Sequence, residues 1–191
     1  KSKIILKNEY IETSKSLNRV SVENVYSNSN YPISDNSSFD GFIIKSIDTK
    51  NLKKKGKLFR ILGTIAAGSK PKSYKTKKFQ TYQIMTGGLL PKGFDTVIPI
   101  EQIIFHPNKK KPRFIFINKK IKKYQNVRFK GSDYKKKDLL LKKGTIIQSN
   151  HILALKTLGI KKIKVKKTPN ILFFSTGNEI SDQENIPNWK V

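Results

Sequence analysis

The chain has 191 residues, of which 40 are Lys or Arg and 13 are Asp or Glu, giving a formal net charge of +27 at pH 7. It has no Cys and only two His, which excludes a disulfide framework and thiolate metal sites and argues against zinc. An apolar content of 36% suits a packed core in one or two domains. No apolar run approaches the ~18 residues of a membrane span and no signal-peptide pattern opens the chain, so we expect a cytoplasmic protein without membrane partners.

The basic charge has two interpretations, a nucleic-acid site or a solvated lysine surface. Almost all the basic residues are Lys, with Arg only at positions 19, 60, 113 and 128, whereas base and bidentate phosphate recognition favours Arg. The Lys clusters fall largely between apolar runs, where loops are expected. We interpret them as solvated surface that binds polyanions weakly and in a salt-dependent way, and we expect no specific nucleic-acid partner.

Residues 1–137 have a mostly β pattern. Residues 17–25 predict a short strand or a turn of helix before the polar run 34–38. Apolar, β-branched and aromatic enrichment then predicts four strands, at 41–47, 59–67, 96–100 and 114–117. Gly and Pro turn signals after residue 85 place Thr86 at a strand end, with its hydroxyl near an open face. This pattern is typical of a small β-barrel-like domain built from hairpins.

The polar run before the first of these strands carries the main candidate chemistry. Asp35 and Asp40 fall in one short stretch among hydroxyl and amide side chains, in a chain poor in carboxylates. One interpretation is local turn chemistry, because Asx and Ser side chains bond their own backbone and Gly41 permits a tight approach. The other is that Asp40 faces a cation or a substrate proton.

The pattern changes from residue 138. Short extended segments at 138–141 and 145–147 lead to a predicted helix, capped by Ser149 or Asn150 and ended by Gly159. Its apolar positions, which we expect on one buried stripe, are 152, 153, 155 and 158. His151 in its first turn receives no functional role.

The apolar run 170–174 predicts a buried parallel strand of an α/β sheet, because it passes directly into a Ser-Thr-Gly turn. Ligands collect at the carboxyl ends of such strands, which places Thr176 and Glu179 at a site edge. The alternative is that the triplet only turns the chain. No further strand or helix is predicted after it, so we expect an incomplete third domain.

Four blocks, in order, resemble the molybdopterin molybdenumtransferase family (MoeA and the E domain of gephyrin). Residues 35–42, Asp-Asn-Ser-Ser-Phe-Asp-Gly-Phe, resemble its Asp-Asn-Ser-Ala-Met-Asp-Gly-Tyr signature. Residues 83–98 resemble its Arg-Ile-Met-Thr-Gly segment, and residues 125–133 its Gln-Asn-Val-Arg segment. The fourth block combines Leu158-Gly159-Ile160 with the later Ser-Thr-Gly-Asn-Glu-Ile at 175–180, which are similar to its Leu-Gly-Ile and Ser-Thr-Gly-Asp-Glu-Leu sequences. The resemblance covers roughly residues 9–186.

Together, the patterns and the resemblance predict an α+β fold that is mainly β. A small β-barrel-like hairpin domain is inserted in a mixed linker domain, and the first strand of a truncated α/β domain follows. The expected segments are the two parts of a linker and dimerisation domain, the inserted β-rich domain and the start of a molybdopterin-binding domain. Their predicted bounds are 1–30 and 131–168 for the linker, 31–130 for the insert and 169–191 for the last.

The resemblance implies a transferase of molybdenum cofactor biosynthesis, which inserts molybdate into adenylylated molybdopterin, releases AMP, requires Mg²⁺ and acts as a homodimer. The residues that it implies as catalytic are Asp40, Thr86, Asp133 and Glu179. Asp40 and Asp133 are the candidate metal ligands, since Mg²⁺ takes one or two carboxylates with substrate phosphates and water. The candidate cofactor-binding residues are Asp35, Ser38 and Thr176. Arg128 is expected only to attract anions.

The chain also departs from the family pattern. Phe39 stands for Met, Phe42 for Tyr, Tyr124 for Gly, Ser132 for Glu and Asn178 for Asp. Further family segments fall beyond residue 191, so we expect little or no transferase activity from this fragment alone. A non-catalytic dimerisation module and a basic nucleic-acid-binding protein are the alternative functions.

Overall fold

The structure is a computed structural model that describes residues 5–52, 56–69, 74, 76–174, 176–177 and 180. The chain divides into two compact units. The terminal unit takes in Lys1–Asn24 and Leu141–Val191, and the central unit takes in Val25–Leu140. The four-segment division expected from the sequence, with bounds at 30, 130 and 168, stays a prediction.

The described residues are mainly β, which confirms the predicted fold class. One α-helix is described, α1 (Ser149–Thr157), together with three short 3₁₀ turns. The strands in chain order are β1 (Asn8–Glu12), β2 (Val25–Tyr26), β3 (Asn36–Ser37), β4 (Gly41–Ile44), β5 (Lys57–Ile65), β6 (Gln80–Ile84), β7 (Thr96–Pro99), β8 (Ile104–His106), β9 (Phe114–Ile117), β10 (Val127–Arg128), β11 (Leu139–Leu141) and β12 (Lys162–Lys166).

A six-stranded sheet forms the centre of the central unit, in the order β7-β4-β6-β5-β9-β8. Its neighbouring strands are antiparallel except β5 and β6, which are parallel. The predicted strands at 96–100 and 114–117 are present, and β8 adds a strand that was not predicted between them. Two short pairs, β3 with β10 and β2 with β11, bring distant segments together.

Strand β4 is buried on both faces of the sheet, which explains why it is apolar at every position instead of alternating. Successive side chains of a strand point to opposite faces. Phe42 and Ile44 pack with Phe59 in one core cluster, while Ile43 packs with Val97 in a second. Burial of a large apolar side chain of this kind contributes about 1.5–3 kcal/mol.

Strand β4 is shorter than the predicted segment 41–47, because the chain turns into a 3₁₀ turn at Ser46–Thr49. Asp95 fixes this turn by accepting hydrogen bonds from the Ser46 backbone N–H and hydroxyl, both at 2.8 Å. A side chain 49 residues away therefore ends the strand, which local sequence does not reveal.

The terminal unit pairs β1 with β12 in antiparallel register and contains α1. Gln148, not Ser149 or Asn150, caps α1, and its backbone N–H donates to His151 Nδ1 at 3.0 Å. His151 thus has a capping role. Leu153 is 69% exposed, contrary to the expected stripe, because it lies two positions from buried Leu155 and so faces another side of the helix.

Residues 170–174 do not form the predicted buried strand. They have no strand assignment, and the side chains of Ile171, Leu172, Phe173 and Phe174 are exposed. An apolar run becomes a strand only where a neighbouring strand accepts and donates its backbone hydrogen bonds, and no described residue pairs with this segment. No helix among the described residues is long and apolar enough to cross a membrane.

Candidate functional site

Two segments of the central unit lie against the segment before β4. The β3 residues Asn36 and Ser37 pair with β10, and the Ser37 backbone bonds with both Gly87 and Gly88. Asp35 accepts a hydrogen bond from the Lys130 backbone N–H at 2.8 Å. Segments near residues 35–40, 86–90 and 126–133 are therefore held against one another by hydrogen bonds that involve the main chain.

Asp40 and Thr86 are in direct contact. Asp40 Oδ1 accepts a hydrogen bond from the Thr86 backbone N–H at 2.6 Å and another from the Thr86 hydroxyl at 2.7 Å. The sheet explains this contact, because β4 and β6 are antiparallel with Gly41 opposite Ile84, which places the residue before β4 next to the turn after β6. The Asp40 main chain is fixed as well, since its carbonyl accepts from the Ile100 N–H at 2.9 Å.

These two hydrogen bonds lower the pKa of Asp40, the one from the backbone N–H of Thr86 more than the one from its hydroxyl. Hydrogen bonds to a carboxylate favour its charged form. Both side chains are exposed. No described residue bonds Asp40 Oδ2. The ionised carboxylate therefore has one oxygen available to bind a ligand.

The Asp40–Thr86 contact gives a pH prediction. Thr86→Val removes the smaller of the two pKa-lowering hydrogen bonds, so the pKa of Asp40 should rise part of the way to its ordinary value. Because the pKa in the folded state is depressed, the stabilising contribution of Asp40 is present at neutral pH and is lost as pH falls through the folded-state pKa. Carboxyl NMR titration measures the shift, and the exposed Thr64→Val is the control that should leave it unchanged. An unchanged Asp40 titration in Thr86→Val would contradict the assigned contact.

Asp133 forms an ion pair with Arg128, a partner that the sequence did not reveal. Arg128 Nε donates to Asp133 Oδ1 at 3.3 Å, a terminal guanidinium nitrogen donates to Oδ2, and the Ser132 hydroxyl also donates to Oδ1 at 3.0 Å. The only sequence signal for this pair was that an Arg and an Asp lie five residues apart in the block 125–133. Arg128 is thus oriented by a specific contact, beyond its general attraction for anions.

The remaining predicted site residues are Ser38, Thr176 and Glu179. Ser38 is exposed, and its backbone N–H donates to the Asn126 carbonyl at 3.1 Å. Thr176 is exposed in the terminal unit, and Glu179 lies outside the described residues. The structure therefore joins Asp40 to Thr86 directly, whereas the roles of the remaining residues stay predictions. Sequence reasoning missed Asn36, which is 8% exposed and whose side-chain oxygen has no hydrogen-bond partner among the described residues.

The described residues of this site offer few ligands for a divalent cation. Within the part of the chain that the structure describes, no three His, Cys, Asp or Glu side chains are grouped to hold a metal ion. Both oxygens of Asp133 are engaged by Arg128, so the predicted metal role of Asp133 requires that ion pair to open. Asp40 fits as a single carboxylate ligand, which suffices where substrate phosphates and water complete an octahedral Mg²⁺ shell.

Comparisons with known proteins agree with one another. The profile of the family described as MoeA N-terminal region (domain I and II) matches residues 1–159. A molybdopterin molybdenumtransferase of Staphylococcus aureus (strain Mu50) is 32% identical over 173 residues, which are 90% of this chain and 40% of that protein. Its counterpart in Staphylococcus epidermidis (strain ATCC 35984) is 32% identical over 187 residues, covering 97% and 43%.

Solved structures are also similar. Two structures of a molybdopterin biosynthesis MoeA protein from Pyrococcus horikoshii match with TM-scores of 0.81 and 0.82, at 30% and 27% identity. They cover 99% and 94% of this chain, and the match spans 47% and 46% of their own chains. The chain therefore spans less than half the length of these relatives.

Proposed function

The chain belongs to the MoeA N-terminal family, and from that premise we propose that it acts in molybdenum cofactor biosynthesis as part of a molybdopterin molybdenumtransferase. The proposed reaction inserts molybdate into adenylylated molybdopterin and releases AMP. The names of the relatives support the reaction class. Because the chain spans about two fifths of those relatives, we propose that the 191 residues alone turn over little substrate.

The contact between Asp40 and Thr86 carries the proposal. An ionised carboxylate with one oxygen fixed by two hydrogen bonds has its second oxygen without a partner among the described residues, so that oxygen can accept a proton from a substrate or water. Such a group suits cleavage of a phosphate anhydride in which water attacks phosphorus and gives up a proton. Asp40 would accept that proton, while Thr86 holds the carboxylate in its charged form.

We assign the remaining residues to positioning and binding. Asp133 orients the Arg128 guanidinium, whose N–H groups not bound by Asp133 would donate to phosphate oxygens. The Asp35 carboxylate holds the backbone at Lys130 beside it. The other proposed members of the site are Ser38 and Thr176 for cofactor binding and Glu179 for catalysis. A Mg²⁺ ion would offset negative charge on the anhydride. Asp40 has one free oxygen, so it would hold that ion only when it is not taking up the proton. Two copies of the chain would pair to complete the cleft.

A chimera tests the proposed function. The matching segment of the Staphylococcus aureus transferase is replaced by that of this chain, and AMP release and molybdenum cofactor formation are measured with molybdate and adenylylated molybdopterin. We expect the chimera to be active and the 191-residue chain alone to be nearly inactive. A folded chimera that releases no AMP, beside an active parent enzyme, would contradict the proposal.

A further inference from the structure

Strand β8 forms one edge of the six-stranded sheet and β7 forms the other. The β7 edge is covered, because the Val97 backbone N–H donates to the Gln125 carbonyl and the Asn126 side-chain amide donates to the Val97 carbonyl, both at 3.0 Å. No described strand pairs with β8 on the side away from β9. The two edges therefore differ, and the β8 edge is open within the part of the chain that the structure describes.

The register of the sheet shows which main-chain groups of β8 lie along that edge. The Arg60 backbone N–H donates to the Phe79 carbonyl on the side of β6, so Arg60 and its β9 partner Phe114 direct their main-chain groups away from each other. Phe114 therefore directs these groups to His106 of β8. Hydrogen-bonded and non-hydrogen-bonded pairs alternate in an antiparallel ladder, so the N–H and carbonyl of Phe105 face away from β9. Outside the ladder, no described residue bonds them.

Strand β8 also lacks most of the features that protect an edge. Edge strands commonly carry charged side chains, Pro or a bulge, or are very short. Apart from its length of three residues, β8 has none of these, since its sequence is Ile-Phe-His and its register with β9 is continuous. Ile104 is 58% exposed and lies in register with Phe116 and with Leu58, which is 37% exposed. An apolar row therefore leads across this face of the sheet to the open edge.

An apolar cavity of about 110 Å³ lies beside the start of β8. Its lining includes Lys119, which is exposed, so the cavity opens to the surface. Apolar cavities of roughly 150 Å³ take in small hydrocarbons, so this one suits a single aliphatic side chain. Its apolar walls include Ile98, Ile103, Phe116, Ile117 and Ile121.

The charge around β8 is almost all positive. Residues 100–120 contain six basic side chains and one acidic side chain, that of Glu101. None of the basic groups forms an ion pair with a described residue. They are Lys109, Lys110, Lys111, Arg113, Lys119 and Lys120. This edge is therefore complementary in charge to an acidic segment.

We propose that the β8 edge binds an acidic, extended segment of a partner protein, which pairs with β8 as an additional strand of the sheet. The segment's main chain bonds the N–H and carbonyl of Phe105, and one of its aliphatic side chains enters the cavity. Its carboxylates lie near Lys119 and the lysines of the turn between β8 and β9. Main-chain hydrogen bonds provide affinity, while the cavity and the charge provide specificity.

A synthetic probe peptide tests this inference with the full 191-residue chain. The probe is acetylated and amidated Glu-Asp-Val-Thr-Ile-Thr-Asp-Glu, used at about 150 mM salt, where non-specific polyanion contacts are weak. Fluorescence anisotropy measures its affinity, and amide hydrogen exchange followed by NMR locates it. We expect saturable binding and slower exchange of the Phe105 N–H, with no change at the exposed Lys92.

Changes to the probe separate strand pairing from the aliphatic contact. Methylation of the backbone nitrogens of its central Thr and Ile should abolish binding, because one of the two must face β8 and the charge of the probe is unchanged. Replacement of its Val and Ile by Ala should weaken binding about 10-fold or more, since the buried aliphatic group is lost.

A pair of lysine variants separates local charge from net charge. Lys119→Glu should weaken the probe about 2- to 30-fold, because an attraction at the cavity becomes a repulsion. Lys92→Glu makes the same change of charge on an exposed lysine in the loop before β7, which does not line the cavity. It should leave the affinity unchanged. Thermal unfolding shows whether both variants keep the stability of the parent chain.

The inference is overturned if the probe does not bind, or if it binds without slowing exchange at Phe105. It is also overturned if Lys119→Glu and Lys92→Glu weaken the probe equally. A single-stranded oligonucleotide of the same net charge that binds as tightly as the probe would overturn it too, because charge alone would then account for the binding. The measurements need no substrate, so their outcome is independent of the proposed transferase activity.

Discussion

Asp40→Asn should lower the rate of AMP release by the chimeric transferase about 100- to 10,000-fold, the range for loss of a positioned proton acceptor. The Asn side-chain oxygen can still accept the two hydrogen bonds from Thr86, so the loop geometry should be retained. What the variant loses is the negative charge and the ability to take up a proton. Initial rates at saturating molybdate measure the effect.

Asp138→Asn is the matched control for this variant. Asp138 is also exposed in the central unit, and it also accepts a backbone N–H, that of Lys135 at 2.7 Å, but no hydroxyl of a described residue bonds it. It should keep nearly the full rate. If the two variants lose equal activity, or if Asp40→Asn is fully active, Asp40 does not take part in the reaction.

Gly41→Ala should destabilise the central unit by about 3 kcal/mol or more, because overpacking against backbone cannot relax as it does against a flexible side chain. A Cβ on Gly41 would lie 2.1 Å from the Ile98 carbonyl oxygen and 3.1 Å from the Pro99 Cα. To accommodate it, β4 must move away from β7, which also displaces Asp40 from Thr86. Urea unfolding measures the loss, and the Asp40 carboxyl titration reports the displacement.

Gly93→Ala is the comparison for the backbone effect alone. Gly93 has φ +95°, and no described atom lies within 4 Å of the position that a Cβ would occupy, so Ala is disfavoured there only by conformation. We expect a cost of about 1 kcal/mol. Equal losses of unfolding free energy in the two variants would show that the contact with β7 is not what requires Gly at position 41.

The strands of the central sheet were largely predictable, because β-branched and aromatic runs are local signals. The ends of the elements were less so. Strand β4 stops at Ile44 because Asp95 binds the next turn, and the cap of α1 lies one residue earlier than expected because Gln148 and His151 form it together. In both places the deciding partner is a side-chain contact that residue spacing alone did not indicate.

The candidate site shows the same division. The sequence identified Asp40 and Thr86 separately, and the structure brings them into contact through the antiparallel register of β4 and β6. It also pairs Asp133 with Arg128, which the sequence assigned only to general attraction of anions. The apolar run 170–174 shows the limit of composition, since it favours a strand but has no described neighbour with which to pair.

The sequence by itself determined the family blocks, the mainly β character and the identity of the carboxylates, because these depend on residue type and order. Only the tertiary structure showed which oxygen of Asp40 accepts hydrogen bonds and that Asp133 forms an ion pair with Arg128. It also showed that the exposed Tyr124 has a left-handed backbone conformation. The physical reason is that hydrogen bonds and ion pairs act over a few ångströms. Residues 46 positions apart, such as Asp40 and Thr86, therefore interact only after the sheet has set their register.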